Sequence, residues 1–360
     1  MADSPWTKPG IKKTRIALLE WFDKNCRDLP WRGICDPYAI WVSEIMLQQT
    51  RVAAVLVHYK AFLMQFPTVI ALAVAPEQQV LAAWSGLGYY RRARMLHKAA
   101  QFLVSEHGGQ LPHRSAALRK LPGIGDYTSA AIASIAFGEP CAVVDGNVER
   151  VVMRLAGLSL VNSAQKGAIR RRVSELAQIL LDIKQPGNWN QAMMELGATK
   201  CIPLFPSCTD CPLYKLCKTR GEHAVLAAPA MISRQVAFAL VERGFGRSRD
   251  ILLQQRPENE TVMPGLWELP QLSDPEVPES ELRITVRHSI MQTNYYVRIR
   301  TLAEEEFAST AMHDWKQQWV RSRDLASTAL TGLARKVLMR EGILTKPRPS
   351  LDPEEFREDT

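Results

Sequence analysis

The sequence predicts a multidomain protein: an all-helical domain to about residue 220, followed by a separate α+β domain. Three observations carry that reading. Up to residue 200 the apolar residues recur at helical spacing, and no stretch there shows the period of two that marks a half-buried strand. Four cysteines are bunched within residues 201–217, in a loop interrupted by Pro203, Pro206 and Pro212. Beyond Ser233 the composition shifts to β-formers. A chain of 360 residues is long enough for more than one core. Seven cysteines, an odd number, with no apolar leader in MADSPWTKPGIKK, point to a reducing compartment and away from a disulfide framework. No apolar run approaches the 18 or so residues of a membrane span, so none is expected. The formal net charge of +8 favours a polyanionic partner such as nucleic acid.

Residues 11–25 read as an amphipathic helix. Leu29-Pro30-Trp31-Arg32 is too irregular for an element. Asp36-Pro37 reads as a helix start, an N-cap followed by proline at the first helical position. In the expected helix 38–50, Tyr38, Trp41, Val42, Ile45 and Met46 form one apolar stripe, with Ile40 and Leu47 on the far side. At about 100° per residue, Glu44 projects between Trp41 and the Ile40/Leu47 pair. A helix apolar nearly all round is buried, and desolvation would raise the pKa of Glu44 towards neutrality, as a general acid requires. A surface Glu at the edge of the stripe, or one salt-bridged in the core, is the alternative. Helical patterns continue through 53–66 and 78–84. Gly86-Leu87-Gly88 then leads to Tyr89-Tyr90-Arg91-Arg92-Ala93-Arg94. Aromatics beside arginines at a turn suit stacking on bases and holding phosphates, and a helix cap with a solvated basic face fits equally.

Residues 115–120 lead into Leu121-Pro122-Gly123-Ile124-Gly125. Gly123 and Gly125 allow a tight turn whose backbone amides lie bare. A helix over 127–137 follows, with Gly138 to stop it and Pro140 beyond. A helix entered this way points free N–H groups and its positive dipole end outward, which suits a phosphate. Val143-Val144, read as buried, delivers Asp145-Gly146-Asn147 beside that turn. The carboxylate reads as a catalytic group aimed at a nucleic-acid backbone, or as the cap of a plain helical hairpin. Helices over 150–155, 164–181 and 189–198 complete the domain.

The cysteines follow as Cys201-x6-Cys208-x2-Cys211-x5-Cys217, a metal cage ringed by Lys200, Lys215, Lys218 and Arg220. Zinc sites usually offer two short Cys pairs, and here there is one CxxC. Four cysteines in one short loop suit a [4Fe–4S] cluster, and spacing alone leaves zinc open. Residues 221–233 read as a linker. Strands over 236–242, 251–256, 282–286 and 295–301, a turn at Met263-Pro264-Gly265-Leu266-Trp267-Glu268 and a helix over 324–340 make the second domain, 234–345. The tail, 346–360, is expected to be disordered.

The combination is more specific than its parts. LPGIGxYT, then VDGNV, then the four-cysteine loop resembles the helix–hairpin–helix DNA glycosylases with an iron–sulfur loop. SEIMLQQT with Glu44, together with Leu29-Pro30-Trp31-Arg32, Gly88-Tyr89-Tyr90 and the 263–268 turn, resembles the MutY-type adenine DNA glycosylases. The likeness covers residues 11–220 closely and the second domain loosely. It implies a monomeric base excision repair enzyme, carrying one [4Fe–4S] cluster, that removes adenine mispaired with 8-oxoguanine or guanine in double-stranded DNA. It implies cytoplasmic, nucleoid-associated work in a bacterium or nuclear work in a eukaryote.

By the same resemblance, adenine would be flipped into a pocket lined by Trp31, Arg32 and Gln191. Gln49 and Tyr89 would wedge into the duplex, and the hairpin with Gly123 and Gly125 would hold the backbone. Glu44 would protonate adenine at N7 and later deprotonate the attacking water. Asp145 would stabilise the oxocarbenium-like sugar, with Tyr127 and Asn147 holding the carboxylates and water in place. Where an endonuclease III-like pyrimidine glycosylase/lyase has a Schiff-base lysine, this chain has Tyr127, so a monofunctional hydrolase is expected. A non-catalytic iron–sulfur DNA-binding or redox-sensing protein is the reading from another class. The second domain resembles the family's Nudix-like lesion-recognition module but lacks the Glu-rich Nudix box, so no pyrophosphatase activity is expected. The family's Phe-Ser-His loop is matched at best by Val286-Arg287-His288, with serine only at Ser289, which leaves His288 and Ser289 as the lesion-reading candidates.

Overall fold

Local capping chemistry starts the first two helices. Thr7 caps α1 (Lys8–Asn25), and Asp36 caps α2 (Pro37–Leu47) by accepting the Tyr38 N–H at 2.9 Å. This computed structural model describes residues 4–159, 166–221, 230–244, 246–308 and 311–345. The chain divides into two compact units: Met1–Gln48, Thr68–Ala73 and Lys98–Ala228 form one, and Gln49–Pro67, Val74–His97 and Pro229–Thr360 form the other. The expected linker at 221–233 falls largely, and the expected tail wholly, outside the described residues.

In chain order the helices that follow are α3 (Val52–Gln65), α4 (Val69–Val74), α5 (Glu77–Ala83), α6 (Arg91–His107), α7 (Ser115–Leu118), α8 (Asp126–Phe137), α9 (Gly146–Ala156), α10 (Lys166–Leu180) and α11 (Pro186–Thr199). Every residue from Tyr38 to Met46 is buried, so α2 is the all-round apolar helix its composition predicts. It ends at Leu47 rather than at residue 50, because Gln49 turns to φ 54°. Gly138 ends α8 in the left-handed conformation at φ 67°. The α9 helix begins a turn earlier than residue 150, because Asp145 caps it.

The core of the first unit is built where α1, α9, α10 and α11 meet. Leu18, Phe22, Val151, Val152, Leu176 and Trp189 are among its buried members. Two glycines let α11 approach closely. A Cβ on Gly187 would stand 2.8 Å from the Ser134 carbonyl oxygen of α8, and one on Gly197 would stand 2.6 Å from the Cβ of Asn147 in α9. These contacts fix α8 and α9, the elements that carry Tyr127 and Asp145.

The second unit holds α3, α5, the start of α6 and a mixed sheet. Strands β1 (Ile232–Arg243), β2 (Asp250–Gln255), β3 (Trp267–Glu268), β4 (Leu282–Ile290) and β5 (Thr293–Leu302) lie in the order β3-β2-β1-β5-β4, and β6 (Gln317–Arg321) pairs with β2. β1 runs parallel to β5, from Ile232 against Thr293 to Val241 against Leu302, and β4–β5 is an antiparallel hairpin. Alternation along β1 works as a period of two demands. Phe238 and Leu240 face the cluster with Leu333 and Val337, while Ala237, Ala239 and Val241 face Leu272 and Val277. The helix expected over 324–340 is two elements: a 3-10 turn, Ser322–Ser327, and α13 (Gly332–Arg340). Leu330 bridges to Trp267, and Thr331 starts a new helix by accepting the Ala334 N–H. Short elements without a periodic signal, α4, α12 (Glu304–Ala308), β3 and β6, were not legible in the sequence.

Candidate active site

Glu44 sits on the buried α2 and is 5% exposed. Its Oε2 accepts a 2.7 Å hydrogen bond from the phenol of Tyr127 on α8. Burial, opposed by that bond and reinforced by the charge of Asp145, pushes the carboxyl up to about 7. The same two carboxylates, after burial, hold the Tyr127 phenol well above its ordinary range. Met194 of α11 closes the far side of the phenol, its sulfur 3.4 Å from the oxygen. The proton at Glu44 is thus available near neutral pH, and Tyr127 serves as a hydrogen-bond donor.

Asp145 occupies an opposite environment. One carboxylate oxygen accepts the Val148 N–H at 2.7 Å, and the other accepts the Asn147 side-chain amide at 2.9 Å. Both donors belong to the first turn of α9, whose positive dipole end favours a negative charge. The sequence left two readings of Asp145 open, cap or active group. The structure shows the cap and also places its charge where Glu44 and Tyr127 feel it.

Behind Asn147 stands Arg150, which sequence reasoning missed. Its guanidinium donates to the Asn147 side-chain oxygen at 2.8 Å, the Gly197 carbonyl at 2.8 Å and the Cys201 carbonyl at 2.7 Å. Arg154, one turn on and buried, donates to the carbonyls of Ile202 and Pro203 at 2.8 and 2.7 Å and to the Cys201 sulfur at 3.3 Å. A continuous set of hydrogen bonds therefore runs from Asp145 to the cysteine loop. Its only sequence signal was two arginines four apart on α9, which is weak without knowing what they face.

Cys201, Cys208, Cys211 and Cys217 line one cavity with Arg154, Lys200 and Arg220. The Arg220 N–H lies 3.5 Å from the Cys217 sulfur, a second donor aimed at sulfur. Burial, with the neighbouring cysteines adding to it, pushes the Cys211 thiol up to about 11. Four cysteines around one cavity, with donors at two sulfurs, fit a metal centre held by thiolates. Cys26 and Cys35 are exposed and free.

The remaining candidates are placed as follows. Gly123 has φ 75° and helps close the turn in which the Ile124 N–H meets the Leu121 carbonyl at 3.2 Å. Gly125 is the N-cap of α8 and provides no side chain for the amides of its first turn. Trp31 is buried and Gln191 half-buried. Arg32 is engaged with Glu195, which also takes both arms of Arg27 at 2.7 Å, and its guanidinium lies 5.2 Å from the Phe22 ring centroid. Glu195 is 1% exposed and 168 residues from Arg27, a pairing that no local pattern reveals. Gln49 and Tyr89 belong to the second unit, both exposed and both in left-handed backbone, at φ 54° and 49°. His288 and Ser289 lie on β4.

Residues 42–199 match the family described as HhH-GPD superfamily base excision DNA repair protein. The adenine DNA glycosylase of Homo sapiens is 39% identical over 282 residues, covering 75% of this chain and 51% of that protein. The adenine DNA glycosylase of Mus musculus is 44% identical over 213 residues, covering 57% and 41%. That of Arabidopsis thaliana is 36% identical over 315 residues, covering 76% and 49%. The chain spans about half the length of these relatives. The match to the human protein takes in more of this chain than residues 1–220 could supply. Among solved structures, a thermostable thymine-DNA glycosylase is similar with a TM-score of 0.54 and 29% identity, over 59% of this chain and 97% of that one.

Proposed function

We propose that this chain, which matches the HhH-GPD superfamily of base excision DNA repair proteins over residues 42–199, is a MutY-type adenine DNA glycosylase. Its substrate is double-stranded DNA in which adenine is mispaired with 8-oxoguanine or guanine. The observation that carries the reading is the pair of carboxylates in contrasting surroundings: Glu44 in an apolar shell with its pKa near 7, Asp145 among donors at a helix start.

Cleaving the bond between adenine and its sugar requires a proton on the leaving base and negative charge beside the developing sugar cation. Glu44 delivers the proton and later takes one from the attacking water, while Asp145 faces the cation. Tyr127 holds the Glu44 carboxyl in one orientation, and Asn147 does the same for Asp145. A phenol cannot form a Schiff base, so the reaction stops at base release. Gly123 and Gly125 hold a phosphate, Trp31 and Gln191 meet the flipped adenine, and Arg32 fixes the pocket wall through Glu195. Gln49 and Tyr89 fill the emptied position. The four cysteines hold one [4Fe–4S] cluster, whose contribution when bound is to tie the loop 201–217 into one rigid body. The domain over 234–345 is Nudix-like and reads the strand opposite adenine, as a monomer would need.

A single-turnover assay of base release across a panel of mispairs tests the proposal. Free adenine is expected from 8-oxoguanine:adenine and guanine:adenine duplexes, with no adduct trapped by borohydride. Release of a pyrimidine with a trapped adduct would place the chain with the endonuclease III-like enzymes instead. If Glu44→Gln and Asp145→Asn bind duplex yet release nothing, a purely DNA-binding or redox-sensing role is excluded.

A further inference from the structure

The turn that bears Tyr89 is left-handed at Gly86 (φ 110°), Gly88 (φ 70°) and Tyr89 itself (φ 49°). The two glycines accept that conformation and the tyrosine resists it. Gln49, at φ 54° in the same unit, is strained in the same way. Both side chains are exposed, Tyr89 to 50%, so their own packing does not reward the strain. Such backbone persists only where its surroundings over-determine it.

One side chain reaches both turns. Arg92 is half-buried in the first turn of α6. Its Nη2 donates to the Thr50 hydroxyl oxygen at 2.9 Å, the Gly88 carbonyl at 3.1 Å and the Leu87 carbonyl at 3.3 Å. The guanidinium also lies 5.4 Å from the Trp84 ring centroid and 5.5 Å from that of Tyr89. Thr50 follows Gln49, and Leu87 and Gly88 precede Tyr89. Burial lowers the Arg92 pKa to about 10, which leaves the group charged at neutral pH. Its bonds are therefore charge-assisted, the stronger kind.

Two neighbours complete the frame. The Trp84 indole N–H donates to the Gly88 carbonyl at 3.2 Å. His58 of α3 stands between two carbonyl oxygens, that of Ala54 at 2.9 Å and that of Ser85 at 3.1 Å. A Cβ on Gly86 would come 3.1 Å from its Nε2, so glycine leaves the ring its room. His58 ties the start of the turn to α3. Arg92 makes the tie that meets residues adjacent to both Gln49 and Tyr89.

We propose that Arg92 is a positioning residue for base extrusion. It fixes the spacing between the Gln49 turn and the Tyr89 turn, so that both side chains enter the duplex together at the position adenine leaves. Pushing a base out of its stack costs free energy, and a turn free to yield would move in place of the base. A planar guanidinium can stack on two rings and donate at its edge at once, which an ammonium cannot. This inference rests on the proposed function, which supplies the two wedge residues.

The test compares wild type with Arg92→Gln, Arg92→Lys, Thr50→Val and Thr50→Ser, each checked for folding by thermal unfolding. Adenine release in single turnover is measured on 8-oxoguanine:adenine and guanine:adenine duplexes. In a Glu44→Gln background, 2-aminopurine next to the target adenine reports extrusion by its fluorescence. Arg92→Gln and Thr50→Val are each expected to slow release about tenfold, the scale of one lost stacking contact, and to diminish the fluorescence rise. The double variant is expected to be no slower than either single one, because both break the same bond. Thr50→Ser keeps the acceptor and should retain the wild-type rate and signal, whereas Arg92→Lys keeps the charge and should stay slow. Should Arg92→Gln fail to fold, Thr50→Val against Thr50→Ser carries the comparison. Wild-type fluorescence in Arg92→Gln, additive losses in the double variant, or a salt dependence of duplex binding weakened by about one phosphate contact would each overturn the inference. If the wild type releases no adenine from either duplex, the proposed function fails, and the fluorescence comparison still decides whether Arg92 holds the wedge.

Discussion

The phenol of Tyr127 donates to Glu44 Oε2 at 2.7 Å, joining a helix apolar on all sides to the helix that follows the glycine turn. That bond lowers the pKa of Glu44 while burial raises it, and burial wins, leaving the carboxyl near 7. A proton held at that pKa can be given up and recovered at neutral pH, which is what the proposed acid catalysis on adenine asks for.

The same shift makes stability depend on pH. Glu44 binds its proton more tightly in the folded chain than in the unfolded one, so its contribution is complete below the unfolded value of 4.5 and is lost as pH rises through about 7. Glu44→Gln, which resembles the protonated side chain, is expected to be more stable than wild type at pH 8 by about 3 kcal/mol, from 1.36 kcal/mol per pKa unit. Thermal unfolding at pH 8 and pH 5 checks this, and the gap should close at the lower pH.

Tyr127→Phe removes the one contribution that lowers the Glu44 pKa and leaves the ring volume unchanged. The alkaline limb of adenine release in single turnover, set by loss of the Glu44 proton, is expected to move to higher pH. A pH–rate profile that does not move would show that Glu44 is not the titrating acid.

Arg150 joins Asn147, Gly197 and Cys201. Arg150→Ala removes its bonds to the Asn147, Gly197 and Cys201 oxygens, leaving Cys201 O only the longer bond from Arg154, and is expected to cost about 2–3 kcal/mol of stability. Iron content per chain and the rate of adenine release should fall together. Arg172→Gln, which alters an exposed pair with Glu175, is expected to stay within about 0.5 kcal/mol of wild type. Chemical denaturation with an iron assay separates the two.

Gly197 and Gly125 should respond oppositely to alanine. A Cβ at Gly197 collides with Asn147 at 2.6 Å, so Gly197→Ala is expected to cost about 1–3 kcal/mol and to slow base release by displacing α9. Nothing lies within 4 Å of the Cβ position at Gly125, and its φ of −97° suits any residue. Gly125→Ala should fold normally, with any defect confined to duplex affinity measured at low salt.

The sequence by itself determined the helical class of the first part, the α2 start at Asp36-Pro37, the all-round apolar character of the helix that carries Glu44 and the bunching of the four cysteines. These are local properties, since capping, periodicity and short spacing act over a few residues. Asp145 was legible as a cap or an active group, but its influence on Glu44 needed α9 to be placed beside α2 and α8. Arg27 with Glu195, and Arg150 and Arg154 with the cysteine loop, were decided only by tertiary structure. They join residues scores of positions apart in sequence, and a charged side chain carries no mark of its distant partner. Gly187 and Gly197 belong with them: a glycine inside a helix reads as a weakness until a second backbone is seen to cross it. The short elements β3 and β6 exist because a neighbouring strand supplies their hydrogen bonds, and only the folded sheet provides that neighbour.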